Sequence, residues 1–295
     1  MFLTYCYGGE RFSKPGLLSV LSILARLPEA RIDVYTDAPA VFAGLASGVR
    51  VHSLSPIDVA AGHAPVGYRH RVKIAVLLRH CLSAPEGSPV VYVDTDTYFT
   101  GLGLPDGTAP DLGVRPWVMH NLDGLVGPGF YPVFDRFLHR EAALVAASEW
   151  PGMTTGFKMF NSGLVAFRAT RETARLLVEA QRLTDWLCVH FHEQPEWTEQ
   201  FALAWIGEQA HGVVADPMGF HHYWNQNTEV SALLGRMSPG EIAALAQDGA
   251  KFDALLAEAS ALAHDPKHRR TVLRKKRWNR SLQKRLIAWR GRKLR

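Results

Sequence analysis

Two aspartates separated by one residue follow an apolar run in Val90-Val-Tyr-Val-Asp94-Thr-Asp96. Two carboxylates at the end of a buried strand are costly unless something positive binds them. Residues i and i+2 of an extended segment project to the same side, so both can face one hard divalent cation. Mg²⁺ and Mn²⁺ prefer oxygen ligands, and substrate phosphates commonly complete their coordination. The alternative is a turn in which the aspartates cap the backbone.

The elements that position this pair alternate between strands and helices, which predicts an α/β fold with a doubly wound parallel sheet. In such sheets ligands bind beyond the carboxyl ends of the strands. Tyr7, Asp37 and Asp94 all lie at such ends, which predicts one shared site. The predicted strands and helices of this part are Phe2–Tyr7, Leu17–Leu27, Arg31–Thr36, Val49–Leu54, Tyr68–Leu82 and Val90–Val93.

The rest of the chain is less regular. Residues 101–160 are rich in Gly, Pro and aromatic residues, and Gly127-Pro-Gly-Phe and Trp150-Pro-Gly predict loops or hairpins. Ser238-Pro-Gly-Glu241 is a capping box with proline at the first helical position, and it predicts one helix reaching about Ala263. The remaining predictions are strands at Phe160–Phe167 and Val213–Ala215, and helices at Glu172–Thr184 and Glu199–Ile206.

Charge divides the chain into two unlike parts. It contains 33 Lys+Arg and 28 Asp+Glu, for a formal net charge of +5. Residues 267–295 hold fourteen of the basic residues and no acidic one, so residues 1–266 carry a net charge of −9. A wholly disordered, collagenous or disulfide-framework protein is excluded by the composition. The acidic body and the basic tail therefore need separate explanations.

The ends and the cysteines predict a cytoplasmic location. The first residues read as a strand rather than an export signal, and no apolar stretch approaches the roughly 20 residues that span a bilayer. Cys6, Cys81 and Cys188 are widely spaced and odd in number, which predicts reduced thiols rather than a disulfide framework or structural zinc site.

The aspartate pair resembles the D-x-D region of GT-A-fold glycosyltransferases, which use nucleotide-sugar donors, and the resemblance is nearest to bacterial enzymes of the family-8 type. Three more segments match in order: Tyr68-Arg-His-Arg-Val-Lys73, Phe160-Asn-Ser-Gly-Leu164 and Trp197-Thr-Glu-Gln-Phe-Ala-Leu203. They resemble a basic segment near the donor, the family's N-[SA]-G strand, and the start of its D-Q-D helix. The resemblance spans residues 2–225 and implies a GT-A fold.

The chain departs from the family pattern at two places. The second carboxylate of D-Q-D is replaced by Phe201. The late motif that supplies a histidine for the metal and a lysine for phosphate is only suggested by Phe220-His-His-Tyr-Trp-Asn225. The third metal ligand is therefore either His221 or His222. The phosphate-binding cation is left open among Lys73, Arg71 and Lys267.

The resemblance implies a role for each matching residue. Asp94 and Asp96 would hold Mn²⁺ or Mg²⁺ on the donor diphosphate, with one of the two histidines. Glu199, with its neighbour Gln200, would lie near the anomeric carbon or the acceptor hydroxyl. Whether the enzyme retains or inverts configuration stays open. Residues implied in nucleotide or sugar binding are Thr4, Tyr5, Asp37, Arg71, Lys73, Asn161 and Ser162.

Several of these residues have structural alternatives. Asp37 is equally well explained as a turn cap after a strand. Arg71 or Lys73 could be a solvated charge on a helix face, and either histidine could serve the core or the surface.

The basic tail predicts a helix that lies on a membrane. Trp278, Leu282, Leu286 and Trp289 are spaced 4, 4 and 3, which forms one helical stripe among Lys and Arg. A basic amphipathic helix with tryptophan on its apolar side suits an anionic surface. The alternatives are a disordered tail or nonspecific attachment to nucleic acid. The favoured partner is the inner membrane face, with no specific nucleic acid.

The sequence analysis thus predicts four segments and one principal activity. Residues 1–100 form the nucleotide-sugar half, 101–235 the acceptor half, 236–266 a packing helix and 267–295 the tail. The activity is transfer of a sugar, from a UDP-sugar first of all, to a saccharide or lipid-linked acceptor. A haloacid-dehalogenase-like phosphatase using Asp94 and Asp96 is one rival, because D-x-D-x-T also fits its nucleophile motif. A non-catalytic nucleotide-sugar-binding protein is another.

Overall fold

The computed structural model describes residues 1–101, 117–120, 132–153, 160–191, 197–211, 214–215 and 219–265, together with Ser281 and Arg285. The chain divides into two compact units, each assembled from three separate stretches of the sequence. The first unit consists of Met1–Ile57, Val90–Asp111 and Pro217–Arg280. The second consists of Asp58–Pro89, Leu112–Asp216 and Ser281–Arg295.

Strands and helices alternate along much of the described chain, which confirms the predicted α/β class. The strands are β1 (Phe2–Cys6), β2 (Ile32–Thr36), β3 (Val49–Ser53), β4 (Pro89–Val93), β5 (Thr97–Phe99), β6 (Trp117–His120), β7 (Asn161–Arg168), β8 (Val214–Ala215) and β9 (Phe220–His222). The helices are α1 (Glu10–Arg26), α2 (Pro56–His63), α3 (Arg71–Ser83), α4 (Pro132–Arg140), α5 (Ala142–Ala146), α6 (Arg171–His190), α7 (Thr198–His211), α8 (Asn227–Leu234), α9 (Pro239–Gln247) and α10 (Gly249–His264).

The first unit contains a parallel sheet in the order β3-β2-β1-β4. Every residue of β2 is buried, as expected for a parallel strand covered on both faces. Strands β5 and β9 form a separate antiparallel pair. Phe2 of β1 packs against Phe99 of β5 and Phe220 of β9, with ring centroids 6.3 and 6.2 Å apart. This aromatic cluster packs the small pair against the first residue of β1, an inner strand of the parallel sheet.

Helix α1 begins at Glu10, seven residues before the predicted start at Leu17. Pro15, which precedes the predicted start, lies in the second turn of the helix. A proline there leaves the carbonyl four residues earlier without its usual amide donor. That carbonyl belongs to Arg11, which is exposed, so water can satisfy it.

The capping box at Ser238 and Glu241 is confirmed in full, but the single helix predicted after it is wrong. The structure contains two helices, α9 and α10, which are separated at Asp248. Asp248 adopts an extended conformation, and its carboxylate accepts hydrogen bonds from the amides of Ala250 and Lys251. A side chain that caps a new helix in this way ends the preceding one.

The second unit contains β7, β6 and β8, with β7 antiparallel and β8 parallel to β6. Helix α6 packs on α3 and on α7. Strand β6 and helices α4 and α5 lie within residues 101–160 and were not predicted. The turn predicted at Trp150-Pro-Gly is confirmed, with the amide of Met153 donating to the carbonyl of Trp150 at 3.1 Å. Gly127-Pro-Gly-Phe lies outside the described residues. No helix among the described residues is both long and apolar enough to cross a bilayer.

Candidate functional site

Asp94 and Asp96 lie in the short link between β4 and β5, in the first unit. Asp94 is half-buried and Asp96 is 8% exposed. The link is fixed by Thr97, whose hydroxyl donates to the carbonyl of Asp94 at 2.7 Å and lies 2.9 Å from the hydroxyl of Ser19 on α1. The two carboxylates are therefore held by a short, well-bonded turn directly after a buried strand.

Strand β9 brings a histidine to these carboxylates. In its antiparallel pairing with β5, His222 lies opposite Thr97. The Nε2 atom of His222 is 3.2 Å from Oδ1 of Asp96. Successive strand residues project to opposite faces, so His221 is exposed and its ring meets Phe252 instead. Of the two predicted histidines, the structure places His222 beside the acids.

Asp94, Asp96 and His222 form a group that fits a divalent cation. Each offers a ligand atom, and these atoms lie within 4.8 Å of one another. Two carboxylates and one imidazole suit a first-row divalent ion better than a soft metal, because most of the donors are oxygen. Three protein ligands also leave coordination positions for phosphate oxygens or water.

A tyrosine that the sequence analysis did not single out holds Asp94. The hydroxyl of Tyr92 donates a short hydrogen bond to Oδ1 of Asp94. Burial, followed by the negative charge of Asp94, raises the pKa of Tyr92 well above its ordinary value, so the phenol stays a donor. The signal was present in the sequence, since Tyr92 precedes Asp94 by two residues on one strand.

The tyrosine that holds Asp94 belongs to a stacked aromatic row. The rings of Tyr92 and Tyr5 lie 6.0 Å apart between centroids, and those of Tyr5 and Tyr7 lie 5.9 Å apart. Tyr5 and Tyr7 are half-buried at the carboxyl end of β1. Tyr5, a predicted site residue, thus stacks on Tyr92, which is hydrogen-bonded to the predicted metal ligand Asp94.

Thr4 and Asp37 also lie near strand ends of the first unit. Thr4 is fully buried in β1, and its hydroxyl has no hydrogen-bond partner among the described residues. Asp37 follows β2 and accepts a 2.8 Å hydrogen bond from the amide of Gly8. Gly8 has a φ of +99°, a conformation that favours glycine. Asp37 therefore connects the turn after β1 to the end of β2. This contact is a structural explanation for Asp37, as an alternative to nucleotide binding.

In the second unit, Glu199 is the centre of a buried polar cluster. Its Oε2 accepts a 2.6 Å hydrogen bond from the hydroxyl of Tyr68, and its Oε1 lies 3.4 Å from Nζ of Lys73. Ser162 joins the two charges: its hydroxyl is 2.9 Å from Lys73 and 3.2 Å from Glu199. Glu199 is only 4% exposed and Lys73 only 3% exposed, so the pair is desolvated.

The phenol of Tyr68 is a reliable donor in this cluster. Its complete burial, followed by the charge of Glu199, raises the pKa of Tyr68 well above its ordinary value. Nothing in the sequence indicated this contact, because the two residues are 131 positions apart.

Asn161 and Gln200 border this cluster and are only half-buried. Oε1 of Gln200 accepts a 3.1 Å hydrogen bond from the amide of Ser162. Oδ1 of Asn161 accepts a 2.7 Å hydrogen bond from the amide of Gly163. These bonds fix the start of β7 and leave both residues closer to solvent than Glu199.

Arg71, which was predicted to bind phosphate, and Phe201, which departs from the family pattern, both have structural explanations. Arg71 forms a bidentate ion pair with Asp185 on α6, at 2.7 and 3.0 Å, a geometry typical of strong arginine–carboxylate pairs. Burial raises the pKa of Asp185, and the charge of Arg71 opposes that rise. Phe201, which replaces the family's carboxylate, stacks on Phe134 at 3.9 Å and is 1% exposed.

No protein-family model matches the chain, and no curated protein matches it. Among solved structures, it resembles galactosyltransferase LgtC in complex with donor and acceptor sugar analogues, at 15% identity over 83% of this chain and 95% of that one, with a TM-score of 0.47.

Two further resemblances are to larger or eukaryotic proteins. The chain resembles the bifunctional glycosyltransferase WbbM at 13% identity and a TM-score of 0.43, covering 73% of this chain and 38% of that one. It resembles mouse xyloside xylosyltransferase 1 at 13% identity and a TM-score of 0.41, covering 73% of this chain and 84% of that one. All three are glycosyltransferases, the class that the sequence resembles. At these values, what this chain does has to follow from its own residues.

Proposed function

We propose that this protein is a metal-dependent glycosyltransferase with a GT-A fold, which moves a sugar from a nucleotide-sugar donor to a saccharide or lipid-linked acceptor. The observation that carries the proposal is the convergence of Asp94, Asp96 and His222 after a buried strand of a parallel sheet. Open α/β sheets bind ligands beyond the carboxyl ends of their strands, and substrate phosphates commonly complete the coordination of such a cation.

The proposed cation is Mn²⁺ or Mg²⁺, held by those three residues. The imidazole favours Mn²⁺, because Mg²⁺ is bound mainly by oxygen. When bound, the cation neutralises negative charge on the departing nucleoside diphosphate. The protein's own contribution is to fix the ligands, through Tyr92 on Asp94 and through the register of β5 and β9 for His222.

The nucleotide is proposed to lie along the end of β1, with a UDP-sugar as the first candidate donor. Tyr5 and Tyr7 present half-buried rings there, and aromatic faces suit a base. The hydroxyl of Thr4, on the same strand, has no hydrogen-bond partner among the residues that the structure describes. For Asn161, Gln200 and Ser162 we keep the role that the resemblance implies, which is hydrogen bonding to sugar hydroxyls.

Lys73, Arg71 and Glu199 are proposed to support the fold of the second unit. The two cations are bound by carboxylates of the chain itself, Glu199 and Asp185. Glu199 is engaged at both oxygens and is 4% exposed, whereas its neighbour Gln200 is half-buried. Gln200 is therefore the better candidate for contact with the substrate.

Residues 267–295 are proposed to attach the enzyme to an anionic membrane, near a lipid-linked acceptor on the cytoplasmic side. The stripe that predicts this helix lies outside the described residues. Each basic residue near an anionic surface contributes about 1 kcal/mol, so fourteen of them suffice for attachment. Deleting residues 267–295 should abolish sedimentation with phosphatidylserine-containing liposomes. Unchanged binding to those liposomes would remove this part of the proposal.

The direct test is a thermal-shift screen of nucleoside diphosphates and nucleotide sugars, each with and without Mn²⁺. UDP or a UDP-sugar should raise the melting temperature only when Mn²⁺ is present. Asp94→Asn and Asp96→Asn should each remove that shift and lower Mn²⁺-dependent release of UDP about 100-fold or more, because a metal supplies several kcal/mol of charge stabilisation. Asp253→Asn, which changes an exposed carboxylate on α10, is the matched control and should leave both unchanged.

Other outcomes of the screen separate the rival functions. Full donor turnover in EDTA would overturn the metal-dependent mechanism. Mn²⁺-dependent binding of a nucleotide sugar without hydrolysis or transfer would indicate a non-catalytic binding protein. Stabilisation by none of the nucleotides, together with hydrolysis of p-nitrophenyl phosphate that Asp94→Asn abolishes, would indicate the phosphatase.

A further inference from the structure

A polar pair on α8 holds one of the proposed metal ligands. Nδ2 of Asn227 donates a 2.9 Å hydrogen bond to Oδ2 of Asp96. The other oxygen of the same carboxylate, Oδ1, faces His222 at 3.2 Å. The two oxygens of Asp96 thus have different neighbours, an amide donor on one side and a proposed co-ligand on the other.

The orientation of the amide is fixed from behind. The hydroxyl of Ser231 donates a 2.9 Å hydrogen bond to Oδ1 of Asn227. Residues four apart on a helix lie on one face, so this contact follows from the geometry of α8. Because Oδ1 accepts from the serine, the nitrogen of the amide is the group left to face Asp96.

Helix α8 is anchored by apolar residues that do not involve this pair. Val230 and Leu234 are fully buried, and the helix packs on α1 and α10. Ser231 is 6% exposed, and burying a hydroxyl and an amide is costly unless both are hydrogen-bonded. A half-buried amide and a buried hydroxyl therefore orient a carboxylate that the apolar side of the helix does not contact.

We infer that Asn227, oriented by Ser231, is a positioning residue for the divalent cation. This inference rests on the proposed metal site. The amide prevents rotation of the Asp96 carboxylate and leaves Oδ1, the oxygen beside His222, as the one presented to the cation. Partners that orient metal ligands in this manner typically change metal affinity by 10- to 100-fold when they are removed.

The experiment is a titration of the metal-free, full-length protein with Mn²⁺ alone. Electron paramagnetic resonance measures the free and the bound ion at each step. Asn227→Ala should weaken Mn²⁺ binding at least about tenfold and change the spectrum of the bound ion. Ser231→Ala should weaken it less, about threefold, because the amide is retained but free to rotate. Ser231→Thr keeps the hydroxyl and should bind close to the wild-type affinity.

Asn225→Ala is the matched control, since it removes an exposed amide two residues earlier and should leave Mn²⁺ affinity unchanged. Urea unfolding of each metal-free variant distinguishes a purely structural role from positioning of the cation. A purely structural role would lower the free energy of unfolding without changing the Mn²⁺ affinity or the spectrum of the folded protein. Wild-type affinity in Asn227→Ala, with binding lost in Asp96→Asn, would overturn the inference and leave the metal site intact. Unchanged binding in Asp96→Asn would overturn the metal site itself.

Discussion

The two units each bury a carboxylate cluster, but the clusters use their charges differently. In the first unit, Asp94 and Asp96 receive hydrogen bonds from the uncharged side chains of Tyr92 and Asn227. In the second, Glu199 lies 3.4 Å from the ammonium group of Lys73. The acids of the first cluster are hydrogen-bonded by neutral side chains, whereas the acid of the second is also paired with a buried lysine.

Under the proposed function, this difference distinguishes a carboxylate pair that binds a cation from a carboxylate that stabilises the fold. An acid bonded to a buried lysine, a serine and a tyrosine has little to offer a substrate, because every contact would first have to be broken. Acids oriented by neutral donors beside a histidine are arranged as ligands, since neutral donors set direction without supplying a counter-charge. The sequence resemblance alone assigns both clusters to the same site.

The largest effect is expected from breaking the second cluster. Lys73→Met should destabilise the metal-free protein by about 3–5 kcal/mol, because it leaves Glu199 buried without its ion-pair partner. Urea unfolding, followed by circular dichroism, measures this directly. Adding Glu199→Gln should restore much of the loss, since it removes the uncompensated charge.

The matching change in the first cluster should behave in the opposite way. Asp96→Asn should alter metal-free stability by less than about 1 kcal/mol, because the variant keeps a polar group for Asn227 and relieves repulsion from Asp94. If Lys73→Met is tolerated and Asp96→Asn unfolds the protein, the roles of the two clusters are reversed.

The next largest effect is stabilisation of the folded protein by a cation bound at the first cluster. Mn²⁺ at about 100 times its dissociation constant should raise the free energy of unfolding by about 2.7 kcal/mol, because it binds the folded chain alone. The increase should persist in Glu199→Gln and vanish in Asp94→Asn. Chemical unfolding at fixed Mn²⁺ concentrations gives the increment. An increase that Glu199→Gln removes would show that the second cluster binds the metal.

Local signals in the sequence predicted the core of the first unit. Val90–Val93 is a continuous apolar run bounded by proline and aspartate, which identifies a strand buried on both faces. The structure contains that strand as β4, with the aspartate pair directly after it. The capping box at Ser238 was equally readable, because all its partners lie within four residues.

Elements that depend on context were harder to predict. Pro15 is tolerated inside α1 because the one hydrogen bond that it removes is to the carbonyl of Arg11, an exposed residue in the first turn. Asp248 breaks a helical pattern that its neighbours continue, because its carboxylate caps the next helix. A periodic pattern alone cannot distinguish an aspartate on a helix surface from one that ends the helix.

Two contacts of the site residues, at Asp96 and Glu199, could not be predicted. Asn227 meets Asp96 and Tyr68 meets Glu199 across 131 positions of the sequence in each case. Such contacts follow from the pairing of strands and the packing of helices, which a single sequence does not specify. The sequence therefore could not indicate that Glu199, which the resemblance implies near the reacting atoms, lies 3.4 Å from Nζ of Lys73.

A smaller effect than removal of a ligand is expected at Tyr92, where a neutral donor orients Asp94. Tyr92→Phe keeps the ring that stacks on Tyr5 and removes only the hydroxyl. Loss of one orienting hydrogen bond should weaken Mn²⁺ binding about tenfold, at the lower end for partners of metal ligands. Tyr98→Phe, at a hydroxyl bonded to the carbonyl of Ala246, is the control and should leave Mn²⁺ affinity unchanged. Equal Mn²⁺ affinity in Tyr92→Phe and wild type would mean that the turn at Thr97 alone fixes Asp94, and that neutral side-chain donors matter only at Asp96.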